Sequence, residues 1–157
     1  MIIRKAELRD LPAIVAMFYK LTDWLESCGQ KLYARDRARF ENGVVLFITT
    51  KIFREDSLVL VGTDEKDDAV SFLIGGLREM DPFFEYCLIC EIQWVFPFNL
   101  SVRQLERVFE KWGIEKGATA ISNYSTPGND RVEKVFYHEG REKAWHYFVK
   151  RLSALDK

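Results

Sequence analysis

The sequence predicts a single α/β (α+β) domain, and three observations carry that expectation. Hydrophobic periodicity switches between the helical and the extended repeat along the chain. Two apolar, branched runs flank a charged turn near the middle, and the second half reads strand, helix, strand. At 157 residues the chain has the length of one ordinary domain, and a 48% hydrophobic content suffices for one core without disulfide or metal staples. No repeat, linker or low-complexity tract divides it.

The elements follow in order. Ile2 and Ile3 open a short strand, after which Leu11, Ile14, Val15, Phe18, Leu21 and Leu25 recur at helical spacing. Asp10 is the expected N-cap of that helix, and Pro12 falls in its first turn, where a missing N–H costs little. A second helix is expected from Asp36, burying Phe40, Val44, Phe47, Ile48 and Ile52, with Gly43 as its weak point. Ser57 to Val61 and Ala69 to Leu77 read as the arms of a β-hairpin around Asp64 to Asp68. After Asp81-Pro82, the run from Cys87 to Phe96 is apolar except for Glu91 and Gln93, as in a central strand covered on both faces, and Pro97 stops it. A helix with Val102, Leu105, Val108, Phe109 and Trp112 on one side comes next, then a strand from Ala118 to Ile121, a unit that favours parallel pairing. A short helix through Val132, Val135 and Phe136 and a last strand from Ala144 to Val149 complete the order β-α-α-β-β-β-α-β-α-β.

Composition narrows the function. The 23 Lys and Arg nearly balance the 24 Asp and Glu, with a pI near 6.2, so there is no broad electrostatic footprint for nucleic acid or an anionic membrane. A small molecule or a protein is the expected partner. The opening MIIRKAELRD carries no signal-peptide core, and no segment approaches the roughly 20 apolar residues that span a bilayer, so a cytoplasmic location is expected. Cys28, Cys87 and Cys90 are expected to be reduced thiols. Cys87 and Cys90 form a C-x-x-C pair, but residues three apart on a strand point to opposite faces, which suits neither a disulfide nor shared metal ligation. No metal is expected.

Three segments, IRKAELRDLPAIVAMF, EIQWVFP and DRVEKVFYHEG, occur in that order along the chain. They resemble the first strand and helix, the fourth strand with its V-x-P ending, and the N-x-x-A-x-x-F-Y-x-K-x-G-F segment of the GNAT N-acetyltransferase superfamily. The resemblance covers nearly the whole chain and implies the GNAT fold: a mixed, mostly antiparallel central sheet with splayed fourth and fifth strands and helices on both faces. It also implies acetyl-CoA as cosubstrate, a small-molecule or protein amine as acceptor, and a homodimer by family habit. The pantetheine arm would pair with the backbone around Val95 and Phe96. The pyrophosphate would sit on the N-terminus of the following helix, where free N–H groups and the dipole favour an anion.

The family's phosphate loop is Q/R-x-x-G-x-G/A, whereas this chain has FNLSVRQLER, with no glycine. Leu100 and Val102 stand where glycines are expected, and the interval from Pro97 is shorter by about one helical turn. Ser101 and Gln104 have the S-x-x-Q spacing of a capping box, which would satisfy the amides a phosphate uses. Arg103 and Arg107, on the first turns, are either phosphate ligands or a solvated helix face. Asp130 replaces the family's pantetheine-contacting Asn, which leaves the neighbouring Asn129 to serve.

For the chemistry, the resemblance implies Glu91 as the base that frees the amine and Tyr137 as the acid toward the coenzyme sulfur. The alternatives are a Glu hydrogen-bonded on the sheet face and a packing aromatic. Near Tyr137 the match departs in two places: Gly140 comes one residue early, and Arg141 replaces a Phe. On the acceptor side Asp81, Phe83 and Glu85 are either amine-covering or ordinary loop residues. Two functions stay open. One is an N-acetyltransferase acting on a primary amine by direct attack in a ternary complex. The other is a non-catalytic GNAT-fold binding or structural protein of the kind found among phage and mobile-element proteins, with Trp24, Phe83, Phe84 and Trp145 as interface candidates.

Overall fold

The computed structural model describes residues 1–29, 36–81, 88–97, 100–123, 134 and 137–138, the side chains of 100 and 101 excepted. Strands β1 (Ile2–Lys5), β2 (Ser57–Thr63), β3 (Ala69–Glu79), β4 (Leu88–Phe96) and β5 (Ala120–Asn123) form one sheet in that spatial order. All neighbours run antiparallel except β4 and β5, which are parallel. The exception follows from the connection. A tight turn at Asp64–Asp68 returns β2 into β3, whereas helix α3 (Leu100–Glu115) carries the chain back across the sheet before β5 begins.

Alternation along the strands sets up two cores. Val59, Val61, Phe72 and Ile74 face helices α1 (Leu11–Ser27) and α2 (Arg37–Phe53), meeting Ile14, Phe18, Leu21 and Ile48. Leu58, Leu60, Leu73, Cys90 and Ile92 face the other way, onto Leu105 and Phe109 of α3. The central strands are thus covered on both sides, which is why they read as continuous apolar runs. Gly113 lets α3 settle on the sheet: a Cβ there would come within 2.7 Å of Cys90 Sγ.

Three expectations need correction. Asp10 does not cap α1 through its side chain; it closes a short 3-10 turn (Leu8–Asp10), accepting from the Glu7 amide at 2.8 Å and from Arg4 at 2.7 and 2.9 Å. Val108 is 40% exposed, because the buried stripe of α3 runs through Leu105 and Phe109 and Val108 lies beside it. Strand β5 begins at Ala120, two residues later than expected. The end of α3 consumes Gly117, at φ +87°, and Ala118, whose amide donates to Gly113 O at 2.9 Å. Asp36, by contrast, caps α2 as expected, its carboxylate accepting from the Arg39 amide at 2.6 Å. Lys134, Tyr137 and His138 are helical, in line with the expected late helix, and the strand expected at 144–149 lies outside the described residues. Among the described residues no helix is long and apolar enough to cross a membrane.

Candidate functional site

Among the described residues, β4 runs on past its pairing with β5. The register of β4 on β5 runs from Ile89↔Ala120 to Ile92↔Asn123, and β4 then continues through Gln93, Trp94, Val95 and Phe96. Among the described residues Trp94, Val95 and Phe96 have sheet partners only on β3, where they lie opposite Ile74, Leu73 and Phe72. The shift occurs at a bulge. Ile74 pairs with Trp94 and Gly75 with Ile92, so Gln93 is the extra residue of β4. Gly75 makes the bulge possible, since a Cβ on it would fall 2.4 Å from Phe109 Cζ and 2.5 Å from the Glu91 carbonyl oxygen.

A polar cluster sits at this point, on the sheet face that carries α1 and α2. Glu91 is only 8% exposed. Its Oε1 accepts from Arg78 Nη1 at 2.9 Å and its Oε2 from Gln93 Nε2 at 3.3 Å. Ser122 is its register partner on β5, and parallel partners project to the same face. Two side-chain atoms here are buried without a hydrogen-bond partner, Gln93 Oε1 and Ser122 Oγ. Buried polar atoms are ordinarily satisfied, and an orphaned one costs about 1–3 kcal/mol. Further along β4 on the same face, Phe18 stacks on Phe72 at 4.9 Å and meets Trp94 at 5.5 Å. From the C-terminal end of α2, the Lys51 ammonium is held below its ordinary pKa, first by burial and then by Arg54, with Asp56 and Glu91 pulling the other way.

The described part of the helix after β4 runs from Leu100, and the side chain of Ser101, on which the expected cap rests, lies outside the described residues. Gln104, Arg103 and Arg107 are exposed, and Val102 is half-buried. Tyr137 is 55% exposed. Asn129, Asp130, Phe83, Phe84, Glu85, Gly140, Arg141 and Trp145 lie outside the described residues, as does Cys87, while Trp24 packs against the α1–α2 core. Cys90 is buried and its thiol donates to Ala120 O at 3.4 Å. No metal-holding group of His, Cys, Asp and Glu occurs among the described residues.

Glu91 and the backbone of Val95 and Phe96 thus lie along one strand, β4, with the polar cluster at the Glu91 end. The structure adds three residues that the sequence did not single out as functional. Gln93 left a trace, as the second polar residue in an apolar run. Arg78 and Ser122 left none, since an Arg at a strand end and a Ser in a short strand are ordinary.

A five-stranded sheet of this order, parallel only at β4–β5, with α1 and α2 on one face, α3 on the other and a bulge in β4, is the GNAT fold. Solved structures agree on it. A mutant of the BH1408 protein from Bacillus halodurans superposes with a TM-score of 0.78 at 16% identity, over 97% of this chain and 99% of that one. The aminoglycoside N-acetyltransferase AAC(6')-Iy in complex with CoA gives 0.73 at 14% identity, over 98% of this chain and 95% of that one. The aminoglycoside 6'-N-acetyltransferase AAC(6')-Ih from Acinetobacter baumannii gives 0.68 at 16% identity, over 97% and 99%. No family model matches the chain, and no curated protein matches it significantly.

Proposed function

We propose that the protein transfers an acetyl group from acetyl-CoA to an amine, the thioester lying where β4 and β5 part. One observation carries this reading: the two orphaned buried polar atoms, Gln93 Oε1 and Ser122 Oγ, flank Glu91 at the end of the β4–β5 register. Unsatisfied groups at one spot are a site awaiting a ligand's hydrogen bonds. The fold adds support, because AAC(6')-Iy, which shares it, is a CoA-binding aminoglycoside N-acetyltransferase.

In this reading the backbone edge of Val95 and Phe96 receives the pantetheine amides, and the first turn of α3, with Arg103 on its exposed side, receives the phosphates. Asn129 is the further candidate for the pantetheine. The acceptor enters from the α1–α2 face as an ammonium ion, and Glu91, directly or through water, takes the proton that frees its lone pair. The nitrogen then attacks the thioester carbonyl carbon. As the C–N bond forms, the C–S bond breaks and the electron pair leaves on sulfur; Tyr137 supplies the proton that makes the free thiol and takes back the surplus proton of the acylated nitrogen, which leaves the neutral amide. Arg78 holds the Glu91 carboxylate in place by a direct hydrogen bond at 2.9 Å.

Calorimetric titration with acetyl-CoA, followed by turnover on a panel of amines, tests this. Binding in the micromolar range is expected, with kcat lowered about a hundredfold or more in Glu91→Gln while acetyl-CoA affinity stays near wild type. No binding at millimolar acetyl-CoA removes the reading. A second reading, a non-catalytic binding module, is favoured by the side chains Leu100 and Val102 where the family's glycines would let a phosphate approach. Recovery of a stable protein complex from native extract, free of coenzyme, supports that alternative.

A further inference from the structure

We propose a second ligand site, at the β1 edge of the sheet: a basic cleft that takes a small organic phosphate. Its origin is topological. The register of β1 on β2 ends at Lys5↔Leu60, and a last hydrogen bond joins the Ala6 amide to Val59 O at 2.9 Å. Strand β2, however, begins at Ser57, so among the described residues Ser57 and Leu58 have a sheet neighbour on β3 and none on β1. A cleft of about 390 Å³ lies in the notch that β1 leaves. Ile52, from the end of α2, and Trp112, from the last turns of α3, line it. Ile52 packs on one core of the sheet and Trp112 on the other, so the cleft spans the sheet edge from one helix layer to the other.

Three separate elements each deliver a cation to this cleft: Lys5 ends β1, Arg54 follows α2 and Lys116 follows α3. Glu55 is the one carboxylate lining it, which leaves about two net positive charges, the complement of the charge of about −1.5 to −2 on a phosphate monoester near neutral pH. Lys5 and Lys116 are exposed and form no ion pair with a described residue. Arg54 is held in place. Asp56 accepts from its Nε at 2.8 Å and also pairs with Nη2, and the Asp56 carbonyl in turn accepts from the Leu77 amide at 2.8 Å. Nη1, which makes no hydrogen bond to a described residue, remains to donate. A helix C-terminus attracts cations, which would account for Arg54 and Lys116 one at a time. It does not account for Lys5, which a strand delivers. Nor do the last carbonyls of α3 need a side chain: those of Trp112, Gly113 and Ile114 accept from the amides of Lys116, Ala118 and Gly117 at 3.0, 2.9 and 2.9 Å. The cleft has the volume of a small-molecule site and exceeds what a phosphoryl group alone fills, so the ligand carries an organic part that packs against Ile52 and Trp112. Arg103 and Glu115 stand about 18 Å apart along α3, so this site does not coincide with the place proposed for the coenzyme phosphates. Binding here requires neither the coenzyme nor acetyl transfer.

Phenyl phosphate, inorganic phosphate and phenol, titrated without coenzyme into nitrogen-15-labelled protein and followed by amide chemical shifts, test this. Phenyl phosphate is expected to saturate with a dissociation constant of about 1 mM or below and to shift the amides of Lys5, Ser57, Leu58 and Lys116. Inorganic phosphate is expected to shift the same amides about threefold or more weakly, and phenol, which lacks the charge, not to shift them. Lys5→Gln/Lys116→Gln is expected to weaken phenyl phosphate about tenfold or more. Lys20→Gln/Lys66→Gln removes as much charge from exposed positions outside the cleft and is expected to leave the affinity within about twofold. Equal weakening by the two pairs, or no shift at the cleft amides up to about 10 mM phenyl phosphate, overturns the site. Inorganic phosphate that binds as tightly as phenyl phosphate overturns the organic part of the ligand. If Lys5→Gln/Lys116→Gln lacks the wild-type melting transition, Lys116→Gln alone decides: weakened binding supports the site and unchanged binding refutes it. Titration with acetyl-CoA bears on the acetyl-transfer reading alone, so the two stand or fall separately.

Discussion

At the scale of single residues, the site depends on one position that has no side chain at all. Gly75 faces the bulge, and its bare Cα admits the Phe109 ring from α3 and the Glu91 carbonyl from β4 into the space a methyl group would take, at 2.4 and 2.5 Å. Phe109 is fully buried, and the carbonyl belongs to the strand backbone, so neither yields cheaply. Gly75→Ala is therefore expected to cost about 2–3 kcal/mol in urea unfolding, and to impair turnover beyond what lost stability explains, since the displaced backbone carries Glu91. Glu91→Gln is its counterpart. It keeps the shape of the cluster while removing the proton acceptor, so kcat falls and fold and acetyl-CoA affinity do not.

At the scale of elements, charge ties the N-terminus to the β2–β3 turn. Arg4 of β1 reaches Asp10 at 2.7 Å and Asp67 at 2.9 Å, and Arg9 reaches Asp67 at 2.7 Å. Asp67 holds the left-handed backbone at φ +64°, a conformation that Asp tolerates better than most residues. Burial pushes the Asp10 carboxyl up, but hydrogen bonds from Arg4 and the Glu7 amide, together with the charges of Arg4 and Arg9, outweigh it and hold the group below its ordinary value. Asp67 is held down as well, first by the hydrogen bond from Arg4. The sign follows. A carboxylate with a depressed folded pKa stabilises the fold above its unfolded pKa of about 3.9 and loses that contribution as pH falls through the depressed value. Asp10→Asn is thus expected to lower stability by about 1–3 kcal/mol at pH 7, with the gap to wild type closing below about pH 4 in a series of urea titrations.

At the scale of the whole molecule, the predicted ligand is a stability term. Acetyl-CoA at a hundred times its dissociation constant should stabilise the native state by about 2.7 kcal/mol, read as a rise in melting temperature that free acetate does not produce. The rise should persist in Glu91→Gln, because the two functions of the site, holding the coenzyme and moving the proton, belong to different parts of β4.

What the sequence by itself determined is the layering. The apolar runs at Ser57 to Val61 and Ala69 to Leu77 and the helical stripes of α1 and α3 are local patterns, legible because a strand covered on both faces is apolar throughout and a helix buried on one side is apolar along one stripe. Glu91 was legible too, since a carboxylate in an apolar strand demands a partner. Only the tertiary structure decided what that partner is and what lies around it. Arg78 comes from the far end of the neighbouring strand, Ser122 from a strand across a helical crossover, and the extra residue at Gln93 exists only in the register of β4 against β3. The same holds for Asp10: local sequence makes it a helix cap, while Arg4 and the Glu7 amide, both brought in by the fold, draw its carboxylate elsewhere. Pairing register and satisfaction of buried polar atoms are relations between distant segments, and no local period encodes them.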